Sequence, residues 1–183
     1  ELVGQYAQGR TVLNAFCYTG GFSIYALGAG AKRVDSLDSS SKAMYLTERH
    51  VALNFGEDCP RHRSVTEDAF DYLEQMPQGQ YDLIILDPPA FAKHRKVLRN
   101  ALMGYRKING IAIKKAAPGS IIFTFSCSQA VSKEEFRLAV FTAAASSGRR
   151  VRILHQLTQP VDHPINIYHP EGEYLKGLVL YVE

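Results

Sequence analysis

The chain has 183 residues, a length that fits one domain built around a single sizeable core. Hydrophobic residues make up 46% of it and charged residues 21%, as is typical of a globular protein. No apolar run approaches the roughly 18–20 residues that a membrane span needs, so we expect no membrane partner. The net charge of +3 is compatible with a nucleic-acid partner but does not demonstrate one.

The cysteines are few and widely spaced. Cys17, Cys59 and Cys127 form no CxxC pair, so the sequence predicts neither a disulfide framework nor a metal site and favours a reducing cytoplasm. No signal peptide is predicted, because no basic segment followed by an apolar stretch lies at the start. The sequence begins at Glu1 rather than Met, and a core strand is predicted soon after, so we expect that an N-terminal region precedes these residues.

Short apolar runs alternate with longer segments of helical period along the whole chain. The predicted strands are residues 11–16, 33–37, 61–65, 81–86, 120–125, 150–157 and 177–182. The predicted helices are residues 21–30, 41–55, 68–76, 97–117 and 133–146. This alternation predicts an α/β fold with a doubly wound, mostly parallel seven-stranded sheet. No convincing helix separates the last two strands, so the final pair is predicted to be antiparallel.

In such a sheet, ligands bind at the carboxyl ends of the strands. The first predicted strand ends in Asn14-Ala15-Phe16-Cys17-Tyr18-Thr19-Gly20-Gly21. Paired glycines let the backbone approach a ligand, although a GG pair also occurs in simple tight turns. The segment is neither GxGxxG nor a P-loop, which disfavours the usual dinucleotide and phosphate sites. Its position after strand one therefore favours another cofactor.

Acidic residues follow the next two strands. Asp38 is placed to accept hydrogen bonds from the hydroxyls of a ribose, or else it caps the next helix, a role that Ser39 or Ser40 could equally fill. Glu67 and Asp68 could reach an adenine amino group, but Asp68 could also simply cap the helix after it. Both alternatives stay open at this point.

Strand four ends in Asp87-Pro88-Pro89-Ala90-Phe91, and the two prolines stiffen the exit that follows the carboxylate. A carboxylate held at this edge is costly unless it is used or paired, which favours a functional role. Phe91 is a candidate to stack on a substrate base, or to close the core beneath the loop. Strand five ends in Ser126-Cys127-Ser128, where a cysteine is either buried filler or an activated thiolate. Cys17 and Cys59 are interpreted as structural.

These residues, in this order, resemble a class I S-adenosylmethionine-dependent methyltransferase over essentially all 183 residues. More narrowly, NAFCYTGGFS, DPPAF, FSCS and DHPI…HPEGEYLKGL resemble the bacterial methyltransferases that make 5-methylcytosine in 23S ribosomal RNA. The resemblance implies S-adenosylmethionine as cofactor, with its methionine part at residues 16–21. It also implies ribose at Asp38, the adenine end at Asp68 and the target base near Asp87. Members carry a PUA-type RNA-binding domain before the catalytic one.

The resemblance sets the expected chemistry. Cys127 is the candidate sole nucleophile, because the loop after strand four lacks the second cysteine of some other RNA cytosine-C5 enzymes. Asp87 is the candidate to stabilise the adduct by hydrogen bonding near N3 of the base. Pro88, Pro89 and Phe91 are candidates for contact with the base. Basic side chains after this loop are candidates for contact with RNA phosphates, although such runs are usually solvated helix faces. They are Lys93, Arg95 and Lys96, with Arg99, Arg106 and Lys107 further on.

Two alternatives remain open. A methyltransferase acting on another rRNA position, such as guanine N7, would need no nucleophilic cysteine, and Ser126-Cys127-Ser128 argues against it. A non-catalytic domain that binds cofactor and RNA is the second. The sequence leaves the oligomeric state open between a monomer and a homodimer.

Overall fold

The computed structural model describes residues 1–92 and 94–183. Six α-helices flank the sheet in this part of the chain. They are α1 (Leu2–Ala7), α2 (Gly21–Gly28), α3 (Ser41–Phe55), α4 (Ala69–Gln75), α5 (Leu98–Lys115) and α6 (Lys133–Ser147). The strands are β1 (Thr11–Ala15), β2 (Arg33–Asp38), β3 (His62–Thr66), β4 (Leu83–Leu86), β5 (Ser120–Ser126), β6 (Val151–Leu157) and β7 (Lys176–Val182).

All seven strands form one sheet in the order β3-β2-β1-β4-β5-β7-β6. Strands β1 to β5 are parallel, whereas β7 lies between β5 and β6 and is antiparallel to both. The predicted doubly wound sheet and its antiparallel last strand are therefore confirmed. Since β7 runs against β5, its first residue, Lys176, pairs with the last residue of β5, Ser126.

The sheet is covered on both faces. All residues of β4 and β5 are buried, which explains why they read as continuous apolar runs rather than alternating ones. On one face, Leu13 and Ile84 pack with residues of α4, α5 and α6. On the other, Val12 and Ile85 pack with residues of α1, α2 and α3. The carboxyl ends of five parallel strands thus share one edge of a rigid sheet.

Among the α-helices and strands, differences from the predicted elements are confined to their ends, with one exception. Phe16 and Tyr81 lie just outside the strands assigned to them, and β7 starts one residue earlier than expected. The exception is α1, a six-residue helix that was not predicted; its N-cap residue, Glu1, makes no side-chain capping bond. Within residues 1–92 and 94–183, no helix is long and apolar enough to cross a membrane.

Candidate active site at the carboxyl edge of the sheet

The turn after β1 has an unusual backbone. Phe16 and Tyr18 have positive φ angles of 58° and 49°, and Gly20, the N-cap of α2, has φ 82°. Positive φ is costly for residues with a Cβ and persists only where surrounding contacts hold it, commonly at ligand sites. A Cβ at Gly20 would lie 2.7 Å from Thr47 Cγ2, whereas one at Gly21 would meet no atom within 4 Å. The turn therefore packs closely on one side and is open on the other.

Asp38, at the end of β2, connects this turn to the start of α3. Its Oδ2 accepts a hydrogen bond of 3.0 Å from the main-chain amide of Tyr18, and its Oδ1 accepts one of 2.9 Å from that of Ser40. The N-cap of α3 is Ser40, whose hydroxyl accepts from the amide of Ala43. Asp38 is therefore not the helix cap, and Ser39 beside it is exposed.

Two side chains of α3 hold the same turn from below. The hydroxyl of Thr47 donates to the carbonyl of Tyr18 at 3.0 Å, and Nδ1 of His50 donates to the carbonyl of Thr19 at 2.8 Å. Neither residue was predicted from the sequence. Their spacing of three on one helix is the signal that indicates a shared face. Together with Asp38, they account for the strained conformation of the turn.

Asn14 and Cys17 lie beneath the turn rather than on its open side. Asn14 is fully buried, and its Nδ2 donates to the hydroxyl of Ser23 at 2.8 Å. The thiol of Cys17 is buried 3.6 Å from the sulfur of Met44, and burial raises the pKa of that thiol to about 12. A thiol with this pKa stays protonated at neutral pH, so the environment of Cys17 is that of a structural cysteine.

At the end of β3, Asp68 acts as the N-cap of α4. Its Oδ1 accepts hydrogen bonds from the amides of Phe70 and Asp71, at 2.8 and 3.2 Å. Of the two roles considered for Asp68, the capping of the helix is therefore observed. Its second carboxylate oxygen accepts no hydrogen bond within the described residues, and the neighbouring Glu67 is half-buried.

These features fit S-adenosylmethionine. The cofactor carries ribose hydroxyls, which need acceptors, and a positively charged sulfonium and amino group, which favour nearby carboxylates. Asp38, Glu67 and Asp87 supply those carboxylates along one edge, and the open side of the turn at Gly21 leaves room for a ligand. Among the described residues, no three His, Cys, Asp or Glu side chains group as metal ligands.

Asp87 follows β4 directly and is half-buried. Removal from water raises the pKa of its carboxyl to about 6, because burial disfavours the charged form. Pro88 beside it is buried, whereas Pro89 is exposed. At a pH near 6, the carboxyl group of Asp87 is therefore present in both its protonated and its ionised form.

Cys127 follows β5 and faces the same loop. Its Sγ lies 3.8 Å from the carbonyl oxygen of Pro88. Burial, and after it the nearby carboxylate of Asp87, raise the pKa of this thiol; the positive charge of Lys176 opposes them. The structure thus brings Cys127 and Asp87 together, as their positions on neighbouring strands predicted.

A cavity of about 250 Å³ opens beside this thiol. Ala90 and Ala92 of the loop after β4, Cys127 and Gln129 after β5, and Tyr174 before β7 line it. Larger depressions lie elsewhere, one of about 520 Å³ on α3, but that one contains none of the predicted site residues. The small cavity lies where the fold places ligands and has a nucleophilic atom in its wall.

A buried group of hydroxyls connects the two loops. Ser126 donates to the hydroxyl of Tyr105 at 2.9 Å, and the hydroxyl of Ser128 lies 3.0 Å from the same oxygen. Ser128 also accepts from the amide of Ala92 at 3.3 Å. Tyr105, in the middle of α5, was not identified from the sequence, because nothing in a helical pattern tells a hydroxyl network from ordinary packing.

Phe91 packs into the core under its loop. Its ring lies 4.7 Å, centroid to centroid, from that of Tyr105, and a Cβ on Gly104 would come within 3.0 Å of it. Of the two roles considered for Phe91, this contact corresponds to closing the core beneath the loop. Stacking of Phe91 on a substrate base stays a prediction that this packing does not favour.

The basic segment lies beside this loop at the start of α5. Arg95, Lys96 and Arg99 are exposed, and Arg95 lies 3.5 Å from Glu135 of α6. Lys93 lies outside the described residues. Further along, Lys107 is paired with Glu74 at 2.9 Å. In contrast to Arg95 and Lys107, neither Lys96 nor Arg99 forms an ion pair within the described part of the chain.

Fold and site together define a class I methyltransferase. The family described as S-adenosylmethionine-dependent methyltransferase matches residues 1–168, and the chain belongs to this family, whose cofactor is S-adenosylmethionine. A solved methyltransferase, SMU.776 complexed with SAH, is 26% identical and superposes with a TM-score of 0.83. It is matched over all of this chain and 47% of its own.

The chain is also similar to proteins named Ribosomal RNA large subunit methyltransferase I. The protein of that name from Tolumonas auensis is 44% identical over 98% of this chain and 45% of its own length. The one from Aeromonas hydrophila is 41% identical over 98% of this chain and 46% of its own. The chain spans about half the length of the curated relatives it matches.

Proposed function

We propose that this chain is the catalytic domain of an RNA methyltransferase that methylates C5 of a cytosine in 23S ribosomal RNA. The observation that carries the proposal is the thiol of Cys127 in the wall of a 250 Å³ cavity, facing the Asp87 loop. The similarity to large subunit methyltransferase I supports ribosomal RNA as the substrate.

Cytosine C5 is a poor nucleophile, which is why the reaction needs a thiol. When the thiolate of Cys127 adds to C6, the displaced electron pair gives C5 the character of an enamine carbon. C5 can then form a bond to a methyl group as the bond between that methyl group and its sulfonium sulfur breaks. Loss of the C5 proton then returns its electron pair to the ring, and the Sγ–C6 bond breaks. Bound S-adenosylmethionine supplies an electrophilic methyl group on its sulfonium sulfur.

Asp87 is proposed to hydrogen-bond N3 of the target base and stabilise the adduct. A carboxyl with a pKa of about 6 is partly protonated near neutral pH, so it can donate a proton toward N3 as the ring accepts electron density. Pro88 and Pro89 fix the direction in which this carboxyl leaves the sheet.

Cofactor binding is assigned to the turn after β1 and the acidic strand ends. In this proposal Phe16, Tyr18, Thr19 and Gly20 line the methionine part, with Asp38 at the ribose. Ser39, Glu67 and Asp68 lie toward the adenine end, and Asp87 lies between cofactor and base. Asn14 and Cys17 support the turn from below, because both are buried.

RNA is proposed to approach over the exposed basic side chains next to the cavity. Arg95, Lys96 and Arg99 lie beside the loop that lines it, where they can contact phosphates while the target base is unstacked into the cavity. The curated relatives extend beyond the matched region, and we propose that RNA affinity is shared with such a region, a PUA-type domain in the resembling family.

The rival proposals differ in what they require of Cys127. A guanine-N7 enzyme needs no covalent adduct, because N7 already has a lone pair. A non-catalytic domain transfers no methyl group. Absence of heat in a calorimetric titration with S-adenosylmethionine at high concentration would contradict every enzymatic proposal. A non-catalytic domain that binds the cofactor would give heat but leave the RNA unmethylated.

The decisive experiment uses a 23S rRNA fragment containing 5-fluorocytosine. Fluorine at C5 cannot leave as a proton does, so a C5 enzyme stays attached to the methylated base. We expect a band shifted by the mass of the RNA that resists denaturant, requires the cofactor and is absent in Cys127→Ala. A Cys59→Ser protein should give the same band as wild type. Methylation of the RNA without any adduct would rule out the cysteine mechanism.

A further inference from the structure

Resting on the proposed role of Cys127, we propose that Lys176 is the positioning residue of the active site, holding the turn that carries Cys127 and placing a positive charge beside its thiol. No role for this lysine was predicted from the sequence. It lies at the first position of β7, in an otherwise apolar strand.

Two observations place Lys176 next to Cys127. In the antiparallel pairing of β5 and β7, Lys176 is opposite Ser126, the residue before Cys127. Its Nζ donates hydrogen bonds of 2.6 Å to the carbonyl oxygens of Ser128 and Val131. The ammonium therefore joins the two ends of the turn that leaves β5.

The burial of this ammonium is unusual. Lys176 is only 6% exposed, and no carboxylate within the described residues forms an ion pair with it. Two carbonyl dipoles compensate a buried charge incompletely, since such charges are ordinarily paired with an ion. Burial lowers the pKa of Lys176, and the nearby Cys127 opposes this effect. A thiolate at Cys127 would supply this ammonium with a nearby counter-charge.

The charged groups around Cys127 and Lys176 decide whether the ionised form of each side chain is favoured. Asp87 disfavours the thiolate of Cys127, and Lys176 favours it. Lys133 disfavours the ammonium of Lys176, while Glu135 favours it. Tyr105 also lies close enough for its ionisation to be disfavoured by a Cys127 thiolate, but it binds two hydroxyls and carries no charge at neutral pH. Removing the charge of Lys176 should therefore leave Cys127 less ionised at every pH.

The test measures alkylation of Cys127 by iodoacetamide as a function of pH, in a Cys59→Ser protein, with the modified site identified by mass spectrometry. Only the thiolate reacts, so the rate profile reports ionisation without RNA or cofactor. We expect Lys176→Met to slow alkylation at pH 8 at least about threefold and to move the profile to higher pH. Lys176→Arg should stay close to wild type.

Lys133→Met is the matched control, because Lys133 is exposed and pairs with Glu173 on the surface. It should leave the profile unchanged. Wild-type alkylation in a folded Lys176→Met protein would overturn the proposal. Equal slowing in Lys176→Arg would do so as well, since it would show that shape, not charge, matters.

If Lys176→Met does not fold, a measurement without changing Lys176 decides the matter. In protein labelled with ¹³C at lysine Cε, the Lys176 resonance should move over the pH range in which Cys127 ionises. This movement should be lost in Cys127→Ala, and its persistence there would overturn the proposal. Neither measurement involves methylation, so a failed adduct experiment with these results intact would reject the proposed function alone.

Discussion

The thiol of Cys127 lies 3.8 Å from the main-chain carbonyl oxygen of Pro88, which joins the exits of two adjacent parallel strands, β4 and β5. The contact depends on both loops. Pro88 is the first of two consecutive prolines, which restrict the backbone of this loop. Cys127 lies between Ser126 and Ser128, which both contact the hydroxyl of Tyr105. The thiol is thus close enough to Asp87 for that carboxylate to raise its pKa, although no hydrogen bond joins the two side chains within the described residues.

Cys127→Ala is expected to abolish methylation, with a loss of at least about a thousandfold in turnover, because no other side chain in the cavity wall can add to C6. Affinity for S-adenosylmethionine, measured by calorimetry, should stay within about twofold of wild type, since the cofactor turn is on another strand. Cys59→Ser is the control and should be fully active. Normal turnover in Cys127→Ala would exclude covalent catalysis.

Asp38→Ala is expected to weaken cofactor binding about ten- to a hundredfold. The change removes the acceptor for the amides of Tyr18 and Ser40, and hydrogen bonds to a charged group contribute about 1.5–3 kcal/mol. It also releases a turn that holds positive φ angles. Asp58→Ala, in the exposed loop before β3, should bind the cofactor as wild type does. Unchanged calorimetric affinity in Asp38→Ala would remove Asp38 from the cofactor site.

The doubly wound, mostly parallel sheet could be predicted because buried parallel strands leave a plain signal. The runs at β4 and β5 are apolar on both faces, and helices of sufficient length separate β1 to β5. The missing helix between β6 and β7 predicted the antiparallel pair. The edge on which functional residues lie followed from that topology, and so did the pairing of Asp87 with Cys127.

The residues that support the site could not be predicted in the same way. Thr47, His50 and Tyr105 act through contacts with distant segments, which no local pattern records. The predicted strand 177–182 does not include Lys176, and a lysine seldom occupies a buried strand position. The two roles of Asp68 differ only in whether its oxygens accept from main-chain amides or from an adenine amino group, and that depends on the turn geometry.

Asp87→Asn is expected to stabilise the fold at neutral pH. The folded-state pKa of about 6 lies above the ordinary value of 3.8, so the folded protein binds more protons between these values and loses stability as pH rises through them. At pH 7.5 the variant should gain on the order of 2 kcal/mol in the free energy of unfolding, measured with urea, and near pH 4 the gain should vanish. Asp58→Asn should show no such pH dependence. An equal effect of Asp87→Asn at both pH values would contradict this account.

Gly20→Ala is expected to destabilise the protein through two separable effects. A Cβ there would lie 2.7 Å from Thr47 Cγ2, and φ 82° costs a non-glycine residue roughly 1–2 kcal/mol. Thr47→Ser removes Cγ2 but keeps the hydroxyl that donates to Tyr18. In urea unfolding, the double variant should therefore recover part, but not all, of the stability lost by Gly20→Ala. Strict additivity of the two changes would show that the close contact is not the cause.

Lys96→Ala with Arg99→Ala is expected to weaken RNA binding and to reduce its salt dependence. Each lost phosphate contact should lower the slope of log K against log salt by about 0.7–0.9, because fewer counterions are released. Binding of the adduct-forming RNA can be followed by fluorescence anisotropy between low and moderate salt. Lys32→Ala is the matched control: Lys32 is equally exposed but precedes β2, at the opposite edge of the sheet. The double variant removes two positive charges and the control removes one, so the losses are compared per charge. An equal loss per charge in the control would show general attraction rather than a path for RNA beside the cavity.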